Sequence, residues 1–428
     1  MSDSHRTNRR EFLASAGAAA AALAGAPAIL SARAPNDTIG AACIGIGTRG
    51  QNLIEEVVDV PGVKVVTVCD VYKPHLENAA QKSKNPEVKR TVEFRDVLAD
   101  KAVDAVVIAV PDHWHSTMVI EAARAKKDVY CEKGWTRTIA EAKAMRAAVK
   151  ENRIVHQLGH QARAIPCGVQ AGEVIEKGLL GPVTLVRTAR FGNTPRGKNT
   201  WRWYGYYDRW TRPDPAQVVK DVDWERWLGP AEKRPFDFER FWHWRCYWEY
   251  GTGQAGDLLS HELDFVQSIL RHGIPDACVC AGLNAFLKDG REVPDTWNAV
   301  YHFEKQDRTV TFEGCLNTAT MRPAPEFRGK DACLKFDDIA HNATTFSIAP
   351  EVACEDPGRL PKEFDAAKAP ALPGHMQDFF NCVRSRGRPR CNEDEAFIEV
   401  ATFLLSIAAY KARRMARWDA AKEDIVLV

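Results

Sequence analysis

Apolar runs and helical patterns alternate along the first third of the chain. One apolar run spans Ile39 to Ile46 and a second spans Val63 to Val68. The apolar residues that share one helical face between them are Leu53, Ile54, Val57 and Val58. Further strands are predicted at 91–94, 105–110, 128–131 and 154–158, with helices at 74–83, 96–100, 116–125 and 139–151. This alternation predicts an α/β domain over residues 36–162, built on a doubly wound parallel sheet.

The pattern changes beyond residue 162. Alternating strands predicted at 183–191, 277–286, 297–303 and 309–316 indicate an open antiparallel sheet with one half-exposed face. Helices are predicted at 168–177 and 258–270, and closing helices at 374–385 and 393–414. The stretch from Trp201 to Tyr250 is crowded with aromatic residues and lacks helical periodicity, so it is predicted to be a long structured loop. Residues 163–428 are therefore predicted to form a second, α+β domain.

The first 35 residues predict a targeting segment rather than part of the fold. Arg9 and Arg10 precede an aliphatic pair, and an alanine-rich stretch follows from Ala14 to Ala28. This pattern resembles a twin-arginine export signal, which predicts a periplasmic or otherwise exported protein. The alternative is a disordered basic tail. The alanine-rich run is too short and weakly apolar for a stable membrane span, so none is expected after signal removal.

Composition excludes several classes of partner and site. The chain has 428 residues, is 45% hydrophobic and carries a formal net charge of +1, which suits two domains with substantial cores. Such a neutral balance predicts no nucleic-acid partner. The 12 cysteines contain no C-x-x-C pair and are predicted to be mostly small buried hydrophobes, which makes a cysteine-based metal site improbable.

A glycine-rich turn joins the first predicted strand to the first helix. The sequence Gly45-Ile46-Gly47-Thr48-Arg49-Gly50 has the spacing G-x-G-x-x-G, which lets backbone approach a pyrophosphate at a helix N-terminus. Asp70 follows Gly50 by twenty residues, where a carboxylate accepts hydrogen bonds from an adenosine ribose. The turn therefore predicts a bound dinucleotide. Asp70 favours NAD, and Lys73 nearby leaves NADP open as an alternative.

Other polar residues lie where predicted parallel strands end, and these ends share one edge of the sheet. The residues predicted to line the cofactor cleft there are Pro111, His113, His115, Glu132 and Gln161. His113-Trp114-His115 also permits a zinc interpretation, because two histidines flank one residue. No third ligand is evident nearby, so the cofactor interpretation is preferred.

Three residues carry the chemistry of proton and hydride transfer. Lys133 ends a strand, where its charge favours a developing alkoxide. Asp257 and His261 are four residues apart and share a helical face, so the carboxylate can orient an imidazole that takes the proton of an alcohol. The structural alternative is a surface lysine and a helix start with Asp257 as its N-cap.

Together, these motifs and their order resemble the Gfo/Idh/MocA family of glucose–fructose oxidoreductases and inositol dehydrogenases. The resemblance extends from about Thr38 to the C-terminus and implies a Rossmann domain followed by an α+β domain, assembled as homodimers or homotetramers. It also implies that Lys133, Asp257 and His261 are catalytic, with His261 as general base. One position departs from the family, because Gly134 replaces the proline of the usual E-K-P motif.

The predicted function is an NAD(P)-dependent oxidoreductase that transfers hydride between a secondary alcohol of a sugar or glycoside and the nicotinamide. Part of the tryptophan-rich stretch is predicted to contribute to a sugar cleft. One alternative is a redox-neutral glycosidase or lyase that oxidises its substrate transiently with a tightly bound cofactor. Another is a non-catalytic sugar-binding protein, which the glycine at position 134 motivates.

Overall fold

A computed structural model describes residues 38–193 and 213–428. The predicted signal segment lies outside the described residues, and so do Trp201, Trp203 and Trp210. The described chain has an N-terminal α/β part and a C-terminal part built on a larger sheet. None of the helices in the described ranges combines the length and the apolar character that a membrane span requires.

The N-terminal part contains a parallel sheet of six strands in the order β3-β2-β1-β4-β5-β6. The strands are β1 (Ile39–Ile44), β2 (Val63–Cys69), β3 (Lys89–Thr91), β4 (Ala105–Ile108), β5 (Asp128–Glu132) and β6 (His156–Gly159). The helices are α1 (Thr48–Val58), α2 (Lys73–Lys82), α3 (Phe94–Ala99), α4 (Asp112–Arg124) and α5 (Ile139–Asn152). Strands β1, β4 and β5 are buried along their whole length, as continuous apolar strands covered on both faces should be. The predicted doubly wound sheet is confirmed.

The sheet order reverses between β1 and β4. Strand β1 pairs with β2 on one side and with β4 on the other, so their following helices cross to opposite faces of the sheet. A crevice opens beyond the carboxyl ends of strands at such a point, and it is where doubly wound sheets bind their ligands.

The C-terminal part contains a sheet of nine strands in the order β13-β12-β11-β7-β10-β9-β8-β14-β15. Its strands are β7 (Val183–Phe191), β8 (Ala277–Leu283), β9 (Thr296–Phe303), β10 (Arg308–Cys315), β11 (Glu326–Gly329), β12 (Ala332–Phe336), β13 (Phe346–Pro350), β14 (Ala416–Asp419) and β15 (Asp424–Leu427). All neighbours pair antiparallel except β7 and β10, which are parallel. The sheet was predicted from four strands, and the five short strands β11 to β15 were missed.

Helices of the C-terminal part join the two sheets. They are α6 (Pro166–Glu176), α7 (Pro215–Asp221), α8 (Trp224–Leu228), α9 (Phe238–Trp242), α10 (Ser260–Leu270), α11 (His375–Ser385) and α12 (Glu393–Ala412). Helix α12 packs on α5 of the first part and on β8 of the second. One continuous core therefore includes Trp135 and Leu158 as well as Phe265 and Phe403.

Two local predictions were wrong in instructive ways. The described part of the tryptophan-rich stretch is not a loop, because it contains the short helices α7, α8 and α9. Helix α4 begins at Asp112 rather than at 116, so His113 and His115 lie within its first turns. Pro111 precedes the helix in an extended conformation and Asp112 occupies the first turn, where a carboxylate suits the helix dipole.

Candidate functional site

A cleft of about 560 Å³ lies at the reversal point between β1 and β4. This size suits a small organic ligand. The glycine turn and the strand ends of the parallel sheet line one side, and aromatic residues and helix α10 of the C-terminal part line the other. The cleft brings together most of the predicted site residues: Gly45, Gly47, Thr48, Arg49, Asp70, Pro111, Glu132, Lys133, Gln161, Asp257 and His261.

The glycine turn has the geometry of a dinucleotide cradle. Gly45 has φ +80°, and a Cβ there would lie 2.8 Å from the carbonyl oxygen of Ala109. A Cβ on Gly50 would lie 2.0 Å from the carbonyl oxygen of Gly45, so this glycine permits close packing of helix and turn without lining the cleft. Gly47 instead faces open space, with His75 as its nearest neighbour at 3.9 Å. The space at Gly47, beside the N-terminus of α1, fits a pyrophosphate.

Asp70 is held at the end of β2 by the same turn. Its Oδ2 accepts a hydrogen bond from the backbone N–H of Ile46 at 2.5 Å, and its Oδ1 accepts one from Tyr72 at 2.8 Å. The Nδ1 of His75 lies 3.5 Å from Oδ2. The carboxylate is thus fixed at the cleft wall, where a ribose hydroxyl would meet it. Lys73, by contrast, is exposed and does not line the cleft.

Glu132 is the centre of a polar chain along the cleft floor. Its Oε1 accepts hydrogen bonds from Arg49 Nε at 2.7 Å and from Gln161 Nε2 at 3.3 Å. Gln161 also donates to the hydroxyl of Tyr130 at 2.9 Å. Burial opposes ionisation of Glu132, but the charge and hydrogen bond of Arg49, together with Lys133, outweigh it and lower its pKa. Glu132 therefore stays charged, and its hydrogen bonds fix the backbone position that precedes Lys133.

Lys133 and Asp257 meet across the cleft. The ammonium of Lys133 donates to the backbone carbonyl of Asp257 at 2.9 Å and forms a short contact with its Oδ1. The Nε of Arg245 lies 3.4 Å from the same carboxylate oxygen. Both partners of the pair are less than a tenth exposed, which strengthens their attraction by limiting solvent screening. The structure thus pairs the lysine of one domain with the aspartate of the other.

His261 is presented by an irregular helix. A single π turn, Ala255–Leu259, contains Asp257 and runs directly into α10. Asp257 is therefore inside a helical turn and is not its N-cap, so this part of the structural alternative was wrong. The His261 ring contacts that of His160 edge-on at 5.3 Å between centroids, and His160 Nε2 lies 3.5 Å from Glu399 Oε1. A buried polar pair, His160 and Glu399, therefore backs the imidazole.

Like Gly50, the predicted cofactor residues His113 and His115 do not line the cleft. His113 Nε2 donates to the carbonyl of Trp227 at 3.1 Å, and burial lowers its pKa to about 3. His115 Nδ1 donates to the carbonyl of Gly134 at 3.1 Å. Their helical placement turns both rings into the protein interior. Within residues 38–193 and 213–428, no group of three or more His, Cys, Asp or Glu residues could hold a metal ion.

Gly134 has a conformation that proline cannot adopt. Its φ is +65°, whereas the proline ring fixes φ near −65°. A Cβ at this position would also lie 2.7 Å from Oδ2 and 2.8 Å from Oδ1 of Asp112. The departure from the family motif is thus built into the backbone next to Lys133.

An aromatic segment covers the cleft from the side of the C-terminal part. This aromatic cover, defined as residues 222–250, attaches to the parallel sheet through a backbone bridge between Tyr72 and Val222 and a hydrogen bond from Asp223 N to Val71 O at 2.8 Å. Trp114 Nε1 donates to Trp227 O at 2.8 Å. The cover residues that line the cleft are Arg226, Trp227, Phe241, Trp242, Trp244 and Arg245.

Several residues of the site were missed by the sequence analysis. Asp112 lines the cleft and follows a predicted strand end, so the criterion that selected its neighbours should also have selected it. His160 follows the strand predicted at 154–158, beside the selected Gln161, so the same criterion should have selected it too. Arg245 carries no motif in the sequence, and it reaches Asp257 only through the packing of the second domain.

Comparison with known proteins agrees with this architecture. Two models of the Gfo/Idh/MocA oxidoreductase family match the chain: the "NAD-binding Rossmann fold" at residues 39–160 and the "C-terminal alpha/beta domain" at residues 170–303. Together these ranges cover more than half of the chain.

Two of the curated relatives each match about a third of the chain. The levoglucosan dehydrogenase of Pseudarthrobacter phenanthrenivorans is 34% identical over 146 residues, which is 33% of this chain and 37% of the relative. A "Glycosyl hydrolase family 109 protein" of Shewanella baltica is 29% identical over 163 residues, which is 32% of this chain and 36% of the relative. The chain therefore matches only about two fifths of the length of such relatives.

Among solved structures, a levoglucosan dehydrogenase in complex with NADH and levoglucosan superposes with a TM-score of 0.64. The match is 20% identical in sequence and covers 92% of this chain and all of that one. At this identity the likeness concerns the fold, and it extends over both sheets.

Proposed function

The chain belongs to the Gfo/Idh/MocA oxidoreductase family, and from this premise we propose that it is an NAD-dependent oxidoreductase acting on a secondary alcohol of a sugar or glycoside. The observation that carries the proposal is the meeting of Lys133 and Asp257, with His261, in the cleft that also holds the glycine turn. Proton-handling and charge-stabilising groups thus line the same space as the dinucleotide cradle.

We assign each residue of the site a role that its position supports. When bound, the nicotinamide supplies the carbon that accepts or gives up a hydride. His261 takes the proton from the substrate hydroxyl, as a neutral imidazole does near physiological pH. Lys133 donates a hydrogen bond to the same oxygen and stabilises the negative charge that develops there. Asp257 holds the ammonium in place, and the cover excludes water from the cleft.

The contacts of Asp70 support NAD rather than NADP. A 2′-phosphate would bring negative charge towards a carboxylate that is already fixed to the glycine turn. Two arginines of the cleft wall, Arg95 and Arg226, are engaged by Glu121 and Asp223. Lys73, which would be the counter-charge for NADP, does not line the cleft.

We propose that the nucleotide is resident rather than freely exchanging. The aromatic cover contacts the parallel sheet from Tyr72 to Trp114 and closes the side of the cleft opposite the glycine turn. We therefore expect a nucleotide in this cleft to dissociate slowly while these contacts hold. Two further proposals rest on the sequence: export through the twin-arginine signal, and a homodimer or homotetramer, for which the exposed Val279 and Leu283 on β8 supply apolar surface.

A second candidate function is a redox-neutral glycosidase or lyase. The covered cleft favours it, because a resident cofactor that is reduced and then reoxidised in each turnover needs no exchange. The likeness of about a third of the chain to a glycosyl hydrolase family 109 protein favours it as well. It predicts cleavage of a chromogenic glycoside without added NAD.

One experiment separates these functions. The purified protein is denatured and any released nucleotide is identified by mass, and the native protein is then tested on a panel of sugars and nitrophenyl glycosides. Stoichiometric NAD with sugar-dependent NADH absorbance supports the oxidoreductase. Glycoside cleavage without net NADH supports the redox-neutral enzyme. Sugar binding without either reaction would overturn both and leave the sugar-binding protein.

A further inference from the structure

The residues around Gly134 connect the two halves of the catalytic site. The Oδ2 of Asp112 accepts two hydrogen bonds from Thr252 of the other domain, from its backbone N–H at 3.1 Å and its hydroxyl at 2.7 Å. Asp112 and Thr252 are 7% and 2% exposed, so solvent does not compete for these bonds. The carboxylate is therefore an inter-domain tie of two hydrogen bonds, one of them from the backbone.

On the side of the first domain, the carboxylate of Asp112 packs against Gly134, the residue that follows Lys133. The carboxylate of Asp112 fills the space that a side chain at position 134 would occupy, with three of its atoms within 2.8 Å of the Cβ position. The carbonyl of Gly134 is held from the other side by His115 Nδ1 at 3.1 Å. Gly134 is thus packed between Asp112 and His115, and its backbone fixes the direction in which Lys133 leaves β5.

On the side of the second domain, Thr252 contacts the turn that contains Asp257. Thr252 O accepts a hydrogen bond from Gly256 N at 3.3 Å, one residue before Asp257. A Cβ on Gly256 would lie 1.9 Å from the hydroxyl oxygen of Thr252, so this threonine is packed directly against the backbone of the π turn. The threonine that binds Asp112 therefore also locates the turn that carries Asp257.

We propose that Asp112 is a positioning residue that sets the register between Lys133 and Asp257, and that glycine stands at position 134 because the carboxylate needs its space. Asp112 acts through Gly134 on one side and through Thr252 on the other. The proposal rests on the proposed function only where it concerns turnover. The placement itself is a property of the protein without cofactor or substrate.

The first test measures placement without catalysis. Hydrogen exchange of the apo protein is followed in D112A, T252V and the conservative T252S. We expect D112A to speed exchange both at 131–136 and at 252–262, T252V to do so at 252–262, and T252S to match the wild type. The control is D295N. Asp295 is another buried carboxylate that accepts backbone N–H groups, from residues 285–287, but it lies outside the cleft lining. It should affect neither segment.

The second test is a double-mutant cycle between positions 112 and 134. In the wild-type background G134A meets both the strain of a positive φ and the carboxylate of Asp112, whereas in D112A only the strain remains. The fall in the unfolding midpoint caused by G134A should be smaller in the D112A background. Equal falls in both backgrounds, or unchanged exchange at 252–262 in D112A, would overturn the proposal.

The third test measures kcat and the Kd for NAD, and it is independent of the first two. On whichever sugar of the panel the wild type oxidises, D112A should lower kcat by roughly 10²-fold through misplacement of catalytic groups, and T252S should retain most of it. The Kd for NAD should stay near the wild-type value. A loss confined to NAD affinity would contradict a positioning role. If the wild type oxidises no sugar, the proposed function fails while exchange and the cycle still decide the placement.

Discussion

Lys133 and Asp257 are 124 residues apart in the chain and lie in different domains, yet the lysine donates to both the carbonyl and the carboxylate of the aspartate. The contact makes the active arrangement depend on how the domains are joined. It also places a positive charge and a proton acceptor, His261, in one covered cleft.

Replacing Lys133 should remove catalysis without removing the fold. We expect K133M to lower kcat about 10²- to 10⁴-fold, because it removes the charge that stabilises the developing alkoxide while keeping most of the side-chain volume. Steady-state kinetics with the sugar identified in the panel measures the loss. The control is K127M. Lys127 donates to the carbonyls of Asp100 and Val103 outside the cleft, so this change should leave kcat within a few-fold.

Removing the imidazole of His261 should change the pH dependence of turnover. We expect H261A to lower kcat at neutral pH and to regain activity as the pH rises, because hydroxide takes over the removal of the proton. The measurement is kcat against pH for wild type and variant. If both K133M and H261A oxidise sugar at the wild-type rate, the assignment of catalytic roles is wrong.

Asp70 should govern the choice of nucleotide. We expect D70A to weaken NAD binding by about tenfold or more, the loss of a hydrogen bond to a charged group, and to reduce the preference over NADP. Calorimetric titration of both nucleotides into apo protein measures this. The matched control is D96A on α3, outside the cleft lining. An unchanged ratio of NAD to NADP affinity in D70A would rule out this role.

The aromatic cover should control nucleotide release. Trp242 lines the cleft, is half-buried and stacks on Phe238 at 5.9 Å between centroids, so W242A should loosen the cover with modest loss of stability. We expect NADH to dissociate at least several-fold faster, as followed by its fluorescence in stopped flow. Trp418 contacts Phe397 away from the cleft, so W418A should leave the rate unchanged. Equal dissociation rates in W242A and wild type would contradict the resident-cofactor proposal.

Glu262 should make stability fall with rising pH. Burial raises its pKa to about 7, and Arg190 and the backbone N–H of Ala340 offset this only in part. The folded state therefore keeps a proton that the unfolded state loses near pH 4.5. Relative to E262Q, the free energy of unfolding of the wild type should fall by about 1.4 kcal/mol per pH unit between pH 5 and 7, and then level off. Parallel curves would show that Glu262 is ionised throughout.

The sequence was sufficient for the parallel sheet and for the placement of Asp70, Glu132 and Lys133 at its strand ends. These predictions used local patterns: continuous apolar strands, the glycine spacing and the distance to Asp70. Such patterns can be recognised without knowing how the second domain packs. The same holds for Lys133, which lies at the end of β5 as predicted.

The start of α4 was missed although Pro111 and Asp112 signal it locally, because the prediction relied on apolar periodicity. The other failures concerned short elements and contacts distant in sequence. Helices α7, α8 and α9 are at most seven residues long, so they show too few turns for a periodic pattern. Strands β11 to β15 have four or five residues each, and pairing within a nine-stranded sheet defines them more than composition does.

The π turn at Ala255–Leu259 has a consequence for which changes of length this chain tolerates. A π turn accommodates one residue more than a regular α-helix. Five residues of a π turn wind through about the same angle as four residues of an α-helix, so regular winding can absorb the deletion of one residue there. A deletion in the regular helix between this turn and Phe265 would instead rotate Asp257 by about 100° relative to Phe265 and Val266, which are fully buried in the core. The core contact or the contact with Lys133 would then be lost, so the start of α10 tolerates a change of length less well than the turn that precedes it.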